Sequence, residues 1–225
     1  MKGLYLFFFI ALTFMSCQPN SNVQNSHSNS SPNSSLEITK TSWYSEDQIN
    51  TLLKHYLPED KYFIAAQSQL EHKSLIEMNV IAAIKAVTNE GKISVLPIQI
   101  HGNHWVAAVI RERFPGEKVL QVIFNNPMGS ALSNEGLNAF NFLNPINNNL
   151  TGGWTFPGLR DLKLKQQKNS CDCGPFTVDN LVKLAKEDNL SGLSDKQIID
   201  VSKLEHPNDG SACHIRKEHM KILNN

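Results

Sequence analysis

The chain is 225 residues long, 40% hydrophobic and 19% charged, and its 21 lysines and arginines are balanced by 21 aspartates and glutamates. That balance supplies no net field to draw in a nucleic-acid backbone or an anionic membrane surface, so nucleic acid is not an expected partner. A Walker-type glycine loop, paired CxxC knuckles and an HExxH helix are all missing from the sequence, which removes the commonest nucleotide and zinc readings and leaves thiol chemistry.

Met1 and Lys2 precede an apolar run over residues 4–15 that ends at Ser16 and Cys17. Residues 1–17 read as a leader, too short to span a bilayer comfortably. The order Phe14-Met15-Ser16-Cys17 resembles a bacterial lipobox, in which the cysteine is lipidated and becomes the mature N-terminus. Phe14 departs from that pattern, where leucine is commoner, and an ordinary cleaved secretory peptide is the alternative. Both readings imply export, the first with a membrane anchor at Cys17. Residues 18–40 are dominated by asparagine and serine and form a tether with almost nothing to bury. The folded domain is expected over 41–225, about 185 residues, which suits a single core. With Cys17 lipidated, Cys171, Cys173 and Cys213 are an odd number, so at least one stays a thiol. A bridge between Cys171 and Cys173, two positions apart, would be strained.

Ser45 can cap a helix whose apolar positions Ile49, Leu52, Leu53, Tyr56 and Leu57 keep helical spacing until Pro58. A second helical stretch ends before Gly91, with Ile81, Ile84 and Val87 on one side. The period then changes to that of strands in three runs over 93–100, 104–110 and 118–124, joined by turn-prone HGN and RFPGE segments. They form an antiparallel meander, and the middle run, apolar nearly throughout, should be the most buried. The stretch 131–155 offers a short helix around 136–142 and otherwise loop. Gly174-Pro175 opens a strongly amphipathic helix, with proline where the first turn tolerates it. Segments 195–201 and 212–223 read as short surface helices. His206, His214 and His219, in this polar tail, read as solvated. The fold class is α+β, a small, mainly antiparallel sheet flanked by helices.

Cys173 lies between a polar loop and the start of that amphipathic helix, whose positive end favours thiolate. A thiolate beside a histidine is the minimal apparatus for covalent acyl transfer. Gly174 leaves room for a carbonyl, and Gln167 together with local N–H groups could hold an oxyanion. A buried cysteine beside a helix start is the bland alternative.

The stretch Gln167-Lys168-Asn169-Ser170-Cys171-Asp172-Cys173-Gly174 resembles the Q-x-N-G-x-D-C-G signature of the Ulp/SENP-type (CE clan) cysteine proteases. His104-Trp105 before an apolar strand resembles their H-W block, and Trp43 to Ile49 resembles their W-L-x-D-x-x-I segment. The order histidine, acid, glutamine, cysteine is also theirs. The resemblance implies a papain-like core in which Cys173 is the nucleophile, His104 its base and Gln167 an oxyanion donor. It also implies that Trp43 and Trp105 line the channel for a substrate's Gly-Gly tail, although Trp105, alternating with His104, could instead be core. Aspartate is usual at the third triad position, whereas this sequence has Asn125, or Asn126 if the register slips by one. An asparagine oxygen can still orient the imidazole but brings no charge.

The implied activity is isopeptide hydrolysis without a cofactor, releasing ubiquitin or a ubiquitin-like modifier from lysine, in a protein of a bacterium living within host cells. The alternatives are an acyltransferase using the same thiol and a catalytically silent module that binds a ubiquitin-like tail. A metal site built from Cys171, Cys173, His101 and His104 is disfavoured, because H-x-x-H on a hairpin divides its residues between two sides.

Overall fold

The computed structural model describes residues 43–169, 171–188, 190, 192–199 and 212–224. The leader, the tether, Cys17 and His206 lie outside the described residues. Among the described residues, no helix is long and apolar enough to cross a membrane.

Helix α1 (Glu46–Tyr56) begins at a reciprocal cap, in which Ser45 Oγ accepts the Gln48 N–H at 3.3 Å and Gln48 Oε1 accepts the Ser45 N–H at 2.8 Å. Its face of Ile49, Leu52 and Leu53 is fully buried, as is Leu57 just beyond it. Two short strands, β1 (Tyr62–Ile64) and β2 (Ser68–Gln69), lead into α2 (Lys73–Glu90). Gly91, at φ 66°, closes α2, with its own N–H on the Val87 carbonyl and that of Lys92 on Ala86. The expected meander follows as β3 (Ile93–Ile100), β4 (His104–Glu112) and β5 (Leu120–Asn125). A 3-10 turn (Leu132–Glu135) and α3 (Leu137–Asn148) then extend beyond the helix expected at 136–142. The chain continues through β6 (Leu159–Asp161), α4 (Cys173–Lys186), α5 (Asp195–Ile198) and α6 (Cys213–Leu223).

The sheet order is β1-β3-β4-β5-β6, with β2 also on β3. The pairings of β3 with β4 and β4 with β5 are antiparallel, while the short outer strands β1, β2 and β6 run parallel to their neighbours. Strands of two or three residues carry too little alternation to be read from sequence. The β1 and β2 ladders on β3 are interrupted at Pro97, which has no N–H to give.

Residue parity divides the core. Val95, Trp105, Ala107, Val109 and Ile123 pack with α1, α4 and α6. Leu96, Ile98, Val106, Ala108, Ile110, Val122 and Phe124 pack on the other face with α2 and α3. Both faces of β4 are therefore covered, which is why its sequence is apolar without alternation. Each such aliphatic side chain contributes about 1.5–3 kcal/mol on burial. The Arg111 guanidinium, near the end of β4, donates to the Leu184 and Glu187 carbonyls and so closes the C-terminal end of α4.

Helix α6 corrects the expectation of a solvated tail, because Ile215, Arg216 and His219 are buried. His219 Nδ1 lies 3.0 Å from the Tyr44 hydroxyl, and burial, reinforced by the nearby Arg216 charge, pushes the imidazole pKa down to about 3. The unfolded chain therefore binds a proton at this position that the folded chain refuses. The stability this group contributes is complete above the ordinary histidine pKa of 6.5 and is lost as pH falls toward 3. Urea unfolding between those limits should lose stability on acidification with a contribution of up to about 1.4 kcal/mol per pH unit from this site. His219→Gln should remove that contribution; an unchanged acid slope would contradict this assignment.

Candidate active site

Cys173 is the first residue of α4, and Asp172 precedes it as the cap. Gly174 is required by packing, since a Cβ there would lie 2.7 Å from the Tyr44 Cβ. Cys173 and Cys213 are free cysteines, and Cys173 is only 1% exposed. The backbone N–H groups of Trp105, Gly174 and Cys173 itself lie beside its sulfur and favour the thiolate. The thiol thus rests against the peptide that joins His104 to Trp105, at the start of β4. Burial pushes the thiol pKa up and outweighs the opposing pull of those N–H groups and the Arg216 charge.

His104 Nε2 lies 2.8 Å from the side-chain oxygen of Asn126, not of Asn125. This corrects the assignment of Asn125, and strand parity is the reason. Asn125 pairs with Ala107 in the ladder and shares the face of Trp105, Ala107 and Ile123, toward α4. There its Nδ2 donates to Gln166 Oε1 at 3.0 Å and its Oδ1 accepts the Leu164 N–H at 3.1 Å. Gln166 is bonded in turn to Asn180 of α4, at 2.9 and 2.8 Å in the two directions. Asn126, one residue on, has the parity of His104. Its Oδ1 also accepts the Met128 N–H at 2.9 Å, which identifies the atom facing the imidazole as oxygen. Nε2 therefore carries the proton, and Nδ1 keeps the lone pair available for a base.

Burial lowers the His104 pKa, the Asn126 hydrogen bond partly offsets this, and His101 adds a smaller lowering effect. His101, at φ 56° in the β3–β4 turn, is held by Glu71 at 3.3 Å and Glu135 at 3.2 Å. Burial thus favours the neutral form of both the thiol and the imidazole.

Gln167 is 1% exposed and anchored by its N–H on the Pro127 carbonyl at 2.9 Å. Its side-chain nitrogen donates to the Asn169 carbonyl, which fixes the amide and leaves a second N–H. Asn169 shapes the loop, because its Oδ1 accepts the N–H groups of Cys171 and Asp172, each at 3.0 Å. Trp105 does not line a channel: it is 1% exposed, with its indole N–H on the Tyr44 carbonyl at 3.1 Å, and belongs to the core. Trp43 is half-buried, and its Nε1 has no partner among the described residues.

Residues 92–201 match the family model of the RickCE-like catalytic domain. The Rickettsia bellii effector RickCE resembles it at 20% identity and a TM-score of 0.58, over 80% of this chain and 94% of that one. The central domain of Lpg1148 from Legionella pneumophila resembles it at 14% identity and 0.55, over 80% and 99%. A de-sumoylating protease does so at 15% and 0.50, over 83% of each. No curated protein matches the sequence. These likenesses show the fold alone, one that the chain shares with RickCE and with a de-sumoylating protease.

Sequence reasoning missed Gln166, which reaches Asn125 across 41 positions, and Asn180, which reaches Gln166 across 14, and it quoted Asn169 without a role. Only the meander register could have separated Asn126 from Asn125. His104 should titrate below 6.5 by proton NMR, and Asn126→Asp should raise its midpoint by placing a carboxylate against the imidazolium. Equal midpoints in the two proteins would contradict the contact.

Proposed function

We propose that the chain is a cysteine-type isopeptidase that cleaves ubiquitin or a ubiquitin-like modifier after its C-terminal glycine. The observation that carries this reading is the buried thiol at a helix start, beside the N–H of the His104–Trp105 peptide, with His104 anchored by Asn126. A thiol embedded only for packing would have no need of an oriented imidazole on the adjoining peptide. The likeness to a de-sumoylating protease supports a modifier as substrate class. Ubiquitin is the preferred modifier because the lipobox-like leader implies a bacterial protein acting within a host cell, where relatives of this type more often resemble deubiquitinases.

In this mechanism His104 Nδ1 takes the thiol proton as Sγ attacks the glycine carbonyl and the S–C bond forms. The neutral imidazole is suited to accept that proton, and the low-polarity site confines thiolate to the moment of attack. Gln167 Nε2 and the N–H groups of Cys173 and Gly174 hold the oxyanion. The C–N bond then breaks, imidazolium gives its proton to the departing lysine amine, and water hydrolyses the thioester to restore the thiol. Asn126 keeps the tautomer correct without supplying a charge. The half-buried Trp43 contributes an aromatic wall for the arriving tail.

Hydrolysis of fluorogenic C-terminal amides of ubiquitin, SUMO and NEDD8 tests the reading. Cys173→Ala should abolish turnover, Gln167→Ala should lower kcat by about 10²–10³-fold, and Asn126→Ala should lower it by about 10²-fold through a misplaced base. Asn125→Ala should act mainly on stability. No turnover of any of the three amides, or turnover that survives Cys173→Ala, would reject it. The neutral Asn126 and raised thiol also keep a second reading in view, a silent module that binds the tail; it predicts tight binding of free modifier with no turnover.

Anchoring through Cys17 belongs to the same proposal and rests on the lipobox-like leader. Palmitate should label the protein in the producing cell and fail to label Cys17→Ser; equal labelling of both would remove the anchor.

A further inference from the structure

Asp172 is completely buried at the cap of α4, yet its side chain makes no hydrogen bond to the helix it precedes. All its acceptor capacity is spent elsewhere. Oδ1 receives Arg216 Nε and Nη2, each at 2.8 Å, while Oδ2 receives Asn169 Nδ2 at 2.8 Å and the Ala212 N–H at 2.8 Å. Arg216 Nη2 also donates to the Cys171 carbonyl at 2.7 Å. Arg216 is itself 3% exposed and lies over the Tyr44 ring, 5.2 Å from its centroid. Tyr44 in turn is the side chain against Gly174. One guanidinium from α6 therefore grips the two residues before the nucleophile and backs the aromatic ring beside the residue after it. Helix α6 lies beyond the segment that matches the RickCE-like domain.

A buried ion pair is an expensive way to hold a loop, since well-packed apolar residues often do as well or better. What an apolar pair could not do is fix carbonyl and carboxylate orientations with a planar fork of donors. We propose that Arg216 is a positioning residue of the active site: through Asp172 and the Cys171 carbonyl it holds the loop that aims the Cys173 and Gly174 N–H groups at the sulfur. Arg216 touches no substrate in this scheme. Its charge also favours the thiolate, a second effect separable from the geometric one.

The test uses Arg216→Lys, which keeps the charge and loses the fork, and the double variant Asp172→Asn with Arg216→Met, which removes both charges and leaves neither buried alone. Two readouts are needed. Alkylation of Cys173 by iodoacetamide, localised by mass spectrometry across a pH series, requires no substrate and so stands apart from the proposed hydrolase function. Turnover of the modifier amide rests on that function. Arg216→Lys should fold, keep KM, lose about 10-fold or more in kcat, and move the alkylation midpoint to higher pH as the N–H groups turn away from the sulfur, although the charge is kept. The double variant should fold, lose kcat similarly, and move the alkylation midpoint to higher pH. If wild type alkylates as expected but turns over no modifier, the hydrolase reading fails and the alkylation shift still decides this one. Wild-type kcat and alkylation profiles in a folded variant would overturn the proposal. So would a loss of activity that only tracks a lower Tm with the alkylation profile unchanged, or failure of both variants to fold, because Arg216 would then be structural alone.

Discussion

The site depends on how α4 is registered along β4. The helix meets the strand at both ends, through the approach of the Trp105 N–H to the Cys173 sulfur at one and through the Arg111 guanidinium on the Leu184 and Glu187 carbonyls at the other. The two spans agree in length. Fourteen helical steps from Cys173 to Glu187 rise about 21 Å, and six strand steps from Trp105 to Arg111 rise about 20 Å. A helix and strand matched in this way cannot slide by a residue without breaking one anchor. The sulfur is thereby held on the peptide next to His104.

The second constraint is parity. One residue in β5 separates an asparagine that reaches the imidazole from one that knits the sheet to α4. Asn125, Gln166 and Asn180 satisfy one another in a buried network, and such a network is worth keeping only when every member is paired. It also tethers the chain just before Gln167, so the neighbour that misses the imidazole still braces the loop that carries Gln167.

Much of this was legible in the sequence, for identifiable reasons. The Ser45 cap, the β3–β5 meander and the Gly174-Pro175 helix each announce themselves through local chemistry. His104, Gln167 and Cys173 stood out because a motif with fixed order contains them. Three features were not legible. Asn126 differs from Asn125 only by pleat, and a turn rich in asparagine gives no phase. Trp105 was ambiguous between core and channel, and the Tyr44 carbonyl, 61 positions away in sequence, settles it as core. Helix α6 looked polar because Arg216 and His219 are polar, and their burial is made possible by Asp172 and Tyr44, which no local pattern reveals.

The resting chemistry follows from the same burial. An asparagine in place of an acid, a lowered imidazole and a raised thiol favour the neutral forms at rest, and in the proposed mechanism the pair becomes ionic only as a carbonyl arrives. The most direct test of that account is reaction of the full-length protein with ubiquitin, SUMO and NEDD8 carrying a C-terminal electrophile under reducing conditions, followed by mapping of the adduct. The account predicts a single covalent bond to Cys173 with at least one modifier, lost in Cys173→Ala and slowed in Asn126→Ala. An adduct on Cys213, or none with any of the three, would contradict it.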